Sequence, residues 1–387
     1  MATRVPVQPA LLNWAADRAG VSEDALRKRF PKWDQWLGGE TKPTLRQLEE
    51  FAKATKTPVG YLFLPKPPML SIPIPDYRTP GSERLDQPSP DLLDTIHLCQ
   101  QRQEWYRAYM KSLGGEPLAF VGSATVQNDI EPTARMMRER MGFDIMKRLD
   151  CRTWEEALTY FRQQVDAAGV LVMTSGIVGG NTRRKLDPAE FRGFALADPL
   201  APVVFVNGAD TKAGQMFTLA HELAHLWLGE SALSDATPSV AGSRRVERWC
   251  NRVAAELLVP LAEVREAFDP AADLLGEVNK LARLFKVSTL VILRRVLDAG
   301  EITRRRFDEV YAGEVARLKK LSARRSEAGG GGDWYLTAPV RVSNRFAKAV
   351  LTSTFEGRSS FTDAKQLIGC RKVTTLRNLG EALGVGA

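Results

Sequence analysis

The chain has 387 residues, 44% of them hydrophobic and 26% charged, which fits a soluble globular protein long enough for two or three domains. No charged-then-apolar leader and no apolar run of about 18 residues is found, so neither secretion nor membrane spanning is expected. Four scattered cysteines (Cys99, Cys151, Cys250, Cys370) without C-x-x-C spacing fit a reducing compartment, and a cytoplasmic location is expected. The formal charge of +8 is uneven: residues 301–387 carry +7, residues 1–64 carry +3, and the stretch between them carries −2. Basic ends favour nucleic acid or an acidic partner.

Residues 1–64 read as a small all-helical module. Apolar periodicity predicts helices near 8–19 and 22–30, a short element at Trp33–Leu37, a helix near 44–55 and a last turn near 58–64. Ser22 is the expected N-cap of the second helix, and Pro43-Thr44 opens the fourth element. LGGETKPTLRQLEEFAKAT (37–55) resembles part of an XRE-type helix-turn-helix. Between Ala25 and Trp36 the segment is about two residues shorter than that pattern and contains Pro31, so a shortened recognition helix is expected. Arg27, Lys28, Arg29 and Lys32 are the candidate nucleic-acid contacts, to phosphates rather than base edges, and the alternative is a module that binds a repressor or a second copy of itself.

Residues 65–90 hold eight prolines and read as a semi-rigid linker. Helices follow near 91–112, 131–141 and 152–168, the first carrying His97, a lone histidine read as packing or surface. Three β-rich segments come next, Val170–Met173, Phe194–Ala197 and Val203–Val206, the last two joined through Asp198-Pro199 as a hairpin. Gly179–Lys185 between them reads as a basic loop. An edge of this small sheet could hold a substrate backbone by strand addition.

Residues 213–228 (AGQMFTLAHELAHLWL) lack proline, are rich in helix formers and end at Gly229, a C-cap. They contain His221-Glu222-Leu223-Ala224-His225, which uses two of the three histidines in the chain. On a helix the i and i+4 imidazoles share one face and can grip one metal ion, and Glu222 is placed to take a proton from a water there. A catalytic zinc needs a third protein ligand. The helix Arg245–Leu258 offers Glu247 and Glu256, nine residues apart and so on opposite faces. Glu247 shares its face with Cys250, Asn251 and Ala254, small residues that let two helices approach, whereas Glu256 reads as solvated or paired with Arg252. Cys250 is a conceivable soft ligand but reads better as a small core residue.

Four blocks, EFRGFALADPLAPVVFVN (190–207), AGQMFTLAHELAHLWLG (213–229), ERWCNRVAAELLVP (247–260) and LARLFKVSTLVILRR (281–295), resemble the ImmA/IrrE metallopeptidases. Cys250 stands where that family has alanine. The resemblance covers roughly residues 150–300 and implies that the glutamate of the Glu-x-x-x-Asn spacing, here Glu247, completes the ligand set with His221 and His225. It also implies a substrate: members of the family cut DNA-binding repressors of the helix-turn-helix class, relieving repression of stress or mobile-element genes.

Residues 281–298 scan like a helix-turn-helix with Ser288 as a cap and a basic end, and read better as a helix pair packed on the catalytic domain. A basic helix is expected over 301–323, a flexible break at Gly329–Gly332, and three further helices over 340–383. The expected fold class is α+β and mostly helical. A zincin-like catalytic domain with a small β-sheet (91–300) follows the linker and is flanked by all-helical modules at 1–64 and 301–387. The expected function is a zinc-dependent endopeptidase, with manganese or iron as alternative metals. Its expected partners are a protein substrate, a helix-turn-helix repressor, and DNA; no membrane is expected, and the oligomeric state is left open, a dimer included. The rival reading is a DNA-binding regulator or antitoxin-like protein with the zincin domain as sensor or scaffold; Glu222, which a structural metal site does not need, favours the enzyme.

Overall fold

Hydroxyl side chains punctuate the helices of this chain. Ser22, Thr44, Thr153, Thr211, Ser288 and Ser360 each accept the backbone N–H three residues on, pairing a donor that the first helical turn leaves open. The computed structural model describes residues 3–77, 88–234, 245–325 and 334–386. They fall into two compact units, Met1–Pro73 with Pro80–His97, and Ile74–Thr79 with Leu98–Ala387.

In the first unit, α1 (Pro9–Ala19), α2 (Glu23–Arg29), α3 (Trp33–Leu37), α4 (Leu45–Ala54) and a 3-10 turn at Val59–Phe63 follow the predicted order, and α5 (Pro90–Ser112) begins. Thr44 forms a full capping box with Gln47. The core gathers Leu11, Leu12, Trp33, Leu48, Phe51 and Leu62, with Trp33 stacked on Phe51 at a ring separation of 5.4 Å. Helix α3 has only five residues, and both its tryptophans are buried.

The second unit is built around a four-stranded sheet, β1 (Leu171–Ser175), β2 (Gly193–Leu196), β3 (Val203–Asn207) and β4 (Ala232–Ser234), in the order β1-β3-β2-β4. β1 and β3 are parallel, β2 pairs antiparallel with β3 (Phe194 opposite Phe205), and β4 pairs antiparallel with β2 (Phe194 opposite Leu233). Strand alternation sorts the side chains. Val172, Ala195, Val204 and Val206 enter the main core with α6 (Ile130–Met141), α7 (Ile145–Leu149), α8 (Trp154–Ala167), α9 (Lys212–Leu228) and α10 (Arg245–Leu258). That core extends through α11 (Leu261–Ala267), α12 (Leu274–Phe285), α13 (Thr289–Asp298) and the start of α14 (Arg304–Arg325). The predicted helix pair at 281–298 is thus the end of α12 and all of α13.

The alternate side chains, among them Met173, Phe194 and Phe205, face the other way, and Phe194 stacks on Phe205 at 5.0 Å. On β1 pack α15 (Trp334–Val342) and α16 (Asn344–Phe355), followed by α17 (Phe361–Ile368) and α18 (Val373–Ala382). Asp166 ties α8 to this layer: the Ser343 hydroxyl donates to its carboxylate (2.8 Å) and Arg345 Nε to its carbonyl (2.8 Å). The charge step at residue 301 therefore has no matching break in packing. The predicted glycine break at 329–332 lies outside the described residues.

One expectation is corrected. Glu256 is neither solvated nor paired with Arg252. It is buried, with its carboxylate on the guanidinium of Arg295, which reaches the end of α10 from α13. Arg295 Nε also donates to Val259 O (2.8 Å) and Arg138 Nη1 to Glu256 O (2.8 Å), so cations close the carbonyl end of α10.

Candidate metal centre

Helix α9 starts at its Thr211 cap and stops at Gly229, whose φ of +72° suits glycine and whose N–H meets the carbonyl of His225. Every residue from Gln215 to Trp227 is buried. Gly193 on β2 lets this helix come close: a Cβ there would lie 2.5 Å from Thr218 Cγ2 and 3.4 Å from Glu222 Cγ. Alongside runs α10, carrying Glu247 in its first turn.

These elements bring three of the predicted residues to one point. His221 Nε2 and His225 Nε2 are 3.2 Å apart, and Glu247 reaches them with Oε2 at 3.3 Å and Oε1 at 3.0 Å respectively. Burial works against ionising Glu247, but the imidazoles of His221 and His225 outweigh it and bring its pKa down to about 2. The donor set fits a cation for a specific reason. His221 Nδ1 faces Asn251 Oδ1 at 3.1 Å, an oxygen that only accepts, so Nδ1 carries a ring proton and Nε2 is the nitrogen turned toward the other two donors. A divalent cation among these two imidazole nitrogens and the carboxylate would take the place of the proton through which the imidazoles hold Glu247 ionised.

Glu222, fully buried, stands beside this trio but outside it. Its Oε1 accepts the Ser234 hydroxyl at 2.7 Å, and its Oε2 has no hydrogen-bond partner. Burial pushes its pKa up to about 8, opposed only in part by His221 and Ser234. Cys250 is wholly buried, and burial raises its thiol well above the ordinary range, as suits a core residue and not a thiolate ligand. His97 is exposed on α5.

Three contributors were not foreseen. Ser234 comes from β4, a strand of three residues too short to show periodicity. Tyr77 comes from the proline-rich stretch, and its ring stacks on His225 at 5.9 Å. Asn251 figured in the sequence as a small face residue and as the asparagine of the Glu-x-x-x-Asn spacing, with no role of its own; four residues after Glu247 it shares the same helix face, and a ligating histidine's need for a partner on its other nitrogen was the available signal. Asn251→Ala is expected to weaken metal affinity by about 10- to 100-fold without unfolding the protein, as read by competition with a chelating dye. An unchanged affinity would remove Asn251 from the site.

The nucleic-acid candidates lie in the first unit, on α2 and in the turn after it. All four are exposed, but Arg27 is engaged by Glu23 (2.6 Å), Asp34 (3.1 Å) and Asp24 (3.4 Å).

Comparison with known proteins points the same way as the geometry. The family model of the IrrE N-terminal-like domain matches residues 165–297, and a domain of unknown function (DUF8813) matches residues 342–382. The radiation response metalloprotease IrrE of Deinococcus deserti is 32% identical over 170 residues, 41% of this chain and 59% of that protein. The protein of the same name from Deinococcus radiodurans is 38% identical over 104 residues, 25% of this chain and 32% of that protein. The chain thus spans about a third to three fifths of the length of these curated relatives. The matched segment contains β1 to β4, both helices of the centre and the packing helices behind them, and residues 165–297 accordingly form a domain of the ImmA/IrrE family.

Proposed function

We propose that this protein is a zinc-dependent endopeptidase of the cytoplasm that cuts a DNA-binding repressor of the helix-turn-helix class, or a similar regulator, and so relieves repression in a stress or mobile-element response. The observation that carries the peptidase reading is the convergence of His221, His225 and Glu247 beside a buried, half-partnered Glu222. Held by those three side chains, a divalent cation would supply Lewis acidity toward a water and a peptide carbonyl. Two imidazoles and a carboxylate suit zinc, and they accept manganese or iron as well.

The remaining chemistry belongs to the chain. Glu222 is the general base: the Ser234 hydroxyl fixes one carboxylate oxygen, and the other takes the proton of the attacking water and passes it to the amine that leaves. A raised pKa suits a group that must both accept and return that proton near neutrality. Asn251 holds His221 in the tautomer that offers Nε2 as a ligand. The names of the two relatives support the metalloprotease class and a radiation response in those proteins. The repressor as substrate rests on the family resemblance of the four sequence blocks, with the N-terminal module and C-terminal helices supplying recognition.

Elemental analysis of the purified protein tests the centre. About one equivalent of metal is expected in the wild type and a small fraction of that in Glu247→Gln, since removing one of three ligands leaves too few for a tight site. A wild type that takes up no metal when zinc is offered would overturn the peptidase reading.

A further inference from the structure

β4 is the last strand of the sheet, and its inner edge is bonded to β2. Its outer edge is taken by the chain itself. Leu233 N donates to Pro75 O at 2.9 Å and Tyr77 N donates to Leu233 O at 2.8 Å, a parallel bridge centred on Asp76. Ile74 is buried and anchors the segment. With Asp76 opposite Leu233, Tyr77 falls beside Ser234, the residue whose hydroxyl holds Glu222. The Tyr77 ring covers His225, nearly parallel at an interplanar angle of 19°, and its hydroxyl donates to Glu230 Oε2 at 3.3 Å. Residues 74–77 thus lie as an extended peptide along the rim of the metal centre, where a substrate backbone adding to this sheet would run.

Proline has no N–H, so Pro75 donates nothing to this ladder, and among the described residues two backbone hydrogen bonds join Pro75–Tyr77 to β4. A segment lying on this edge takes the place of an added peptide strand, so the two cannot occupy it together.

We propose that residues 74–77 are an autoinhibitory strap: they occupy the peptide-binding edge of β4, and an extended peptide reaches Glu222 and the metal ligands only by displacing them. This deepens the peptidase reading and rests on it. The test uses the full chain and a fluorescently labelled peptide of its own residues 70–77 (LSIPIPDY), with a chelator present so that metal chemistry plays no part. Tyr77→Pro removes the N–H that bonds to Leu233 O together with the ring over His225. It is expected to bind the peptide at least about tenfold more tightly than the wild type, and the Leu233 amide is expected to exchange about tenfold faster while that of Phe205 in β3 is unchanged. Tyr77→Ala keeps the backbone pair and loses the ring, and a smaller gain in peptide binding is expected; this variant also covers the case in which the proline disturbs folding. If neither variant gains peptide binding over the wild type, the strap is overturned. Casein cleavage by the zinc-loaded proteins separates the two readings. Faster cleavage in Tyr77→Pro supports both, whereas gained peptide binding with no cleavage by any form leaves the strap standing and removes the peptidase.

Discussion

Glu222→Gln is expected to keep its metal and to lose peptide-bond cleavage by about 10³-fold, within the range that a positioned general base contributes. The substitution is nearly isosteric, and the glutamine carbonyl can still accept the Ser234 hydroxyl, so β4 and α9 keep their contact. What disappears is the unpartnered Oε2, the carboxylate oxygen left without a hydrogen bond and so able to take a proton. Because the three groups that converge as ligands are His221, His225 and Glu247, metal content should match the wild type. Equal metal content with cleavage lost in a single-turnover assay would identify a group that acts in the chemical step and not in ligand binding. Cleavage above about a tenth of the wild-type rate would sink the assignment, because loss of a general base costs at least about 10²-fold.

How far the centre was legible follows from the distance over which each part communicates. Helix α9 was readable almost residue by residue because its signals are local: helix formers, no proline, and Gly229 at its end. Glu247 could be chosen over Glu256 from helical faces alone, since an α-helix fixes which side chains share a side without reference to the rest of the chain. The hairpin of β2 and β3 was legible for a similar reason, two apolar runs flanking Asp198-Pro199. Ser234 and Tyr77 were not. Both sit on extended segments of three or four residues whose pairing is decided by tertiary contact, and nothing near residue 77 in the sequence indicates a neighbour at residue 233. Glu256 failed for the opposite reason: Arg252 lies one turn away and offers a local partner, but Arg295, 39 residues on, is the one that α13 brings into the same dry space.

That buried pair leads to the largest effect on stability. Arg295→Met is expected to destabilise the second unit by about 3–5 kcal/mol, the usual cost of leaving one member of a buried ion pair without its partner. Arg295 and Glu256 are each at most 4% exposed in their side chains, so water cannot take over the lost contacts. Among the described residues the Glu256 carboxylate would keep the Leu261 N–H at 3.4 Å, and Val259 O would lose the Arg295 donor. Arg138 and Arg148, which donate to Glu256 O and Leu258 O, would remain at the same helix end without the anion that now offsets them. Replacing both members, Arg295→Met with Glu256→Leu, removes the charges together and should recover most of the loss, because apolar groups of similar volume are tolerated where a single stranded charge is not. Urea midpoints of the four proteins in a double-mutant cycle measure this, with a chelator present so that bound metal does not add its own stabilisation. A loss below about 1 kcal/mol in the single variant would mean that solvent reaches the pair, since exposed ion pairs contribute no more than that. The expected large loss would tie the ligand helix to the sequence beyond it. Glu247 and Asn251 would then be held in place from one end by the packing of α10 on α9, and from the other by an arginine that the second half of the domain supplies.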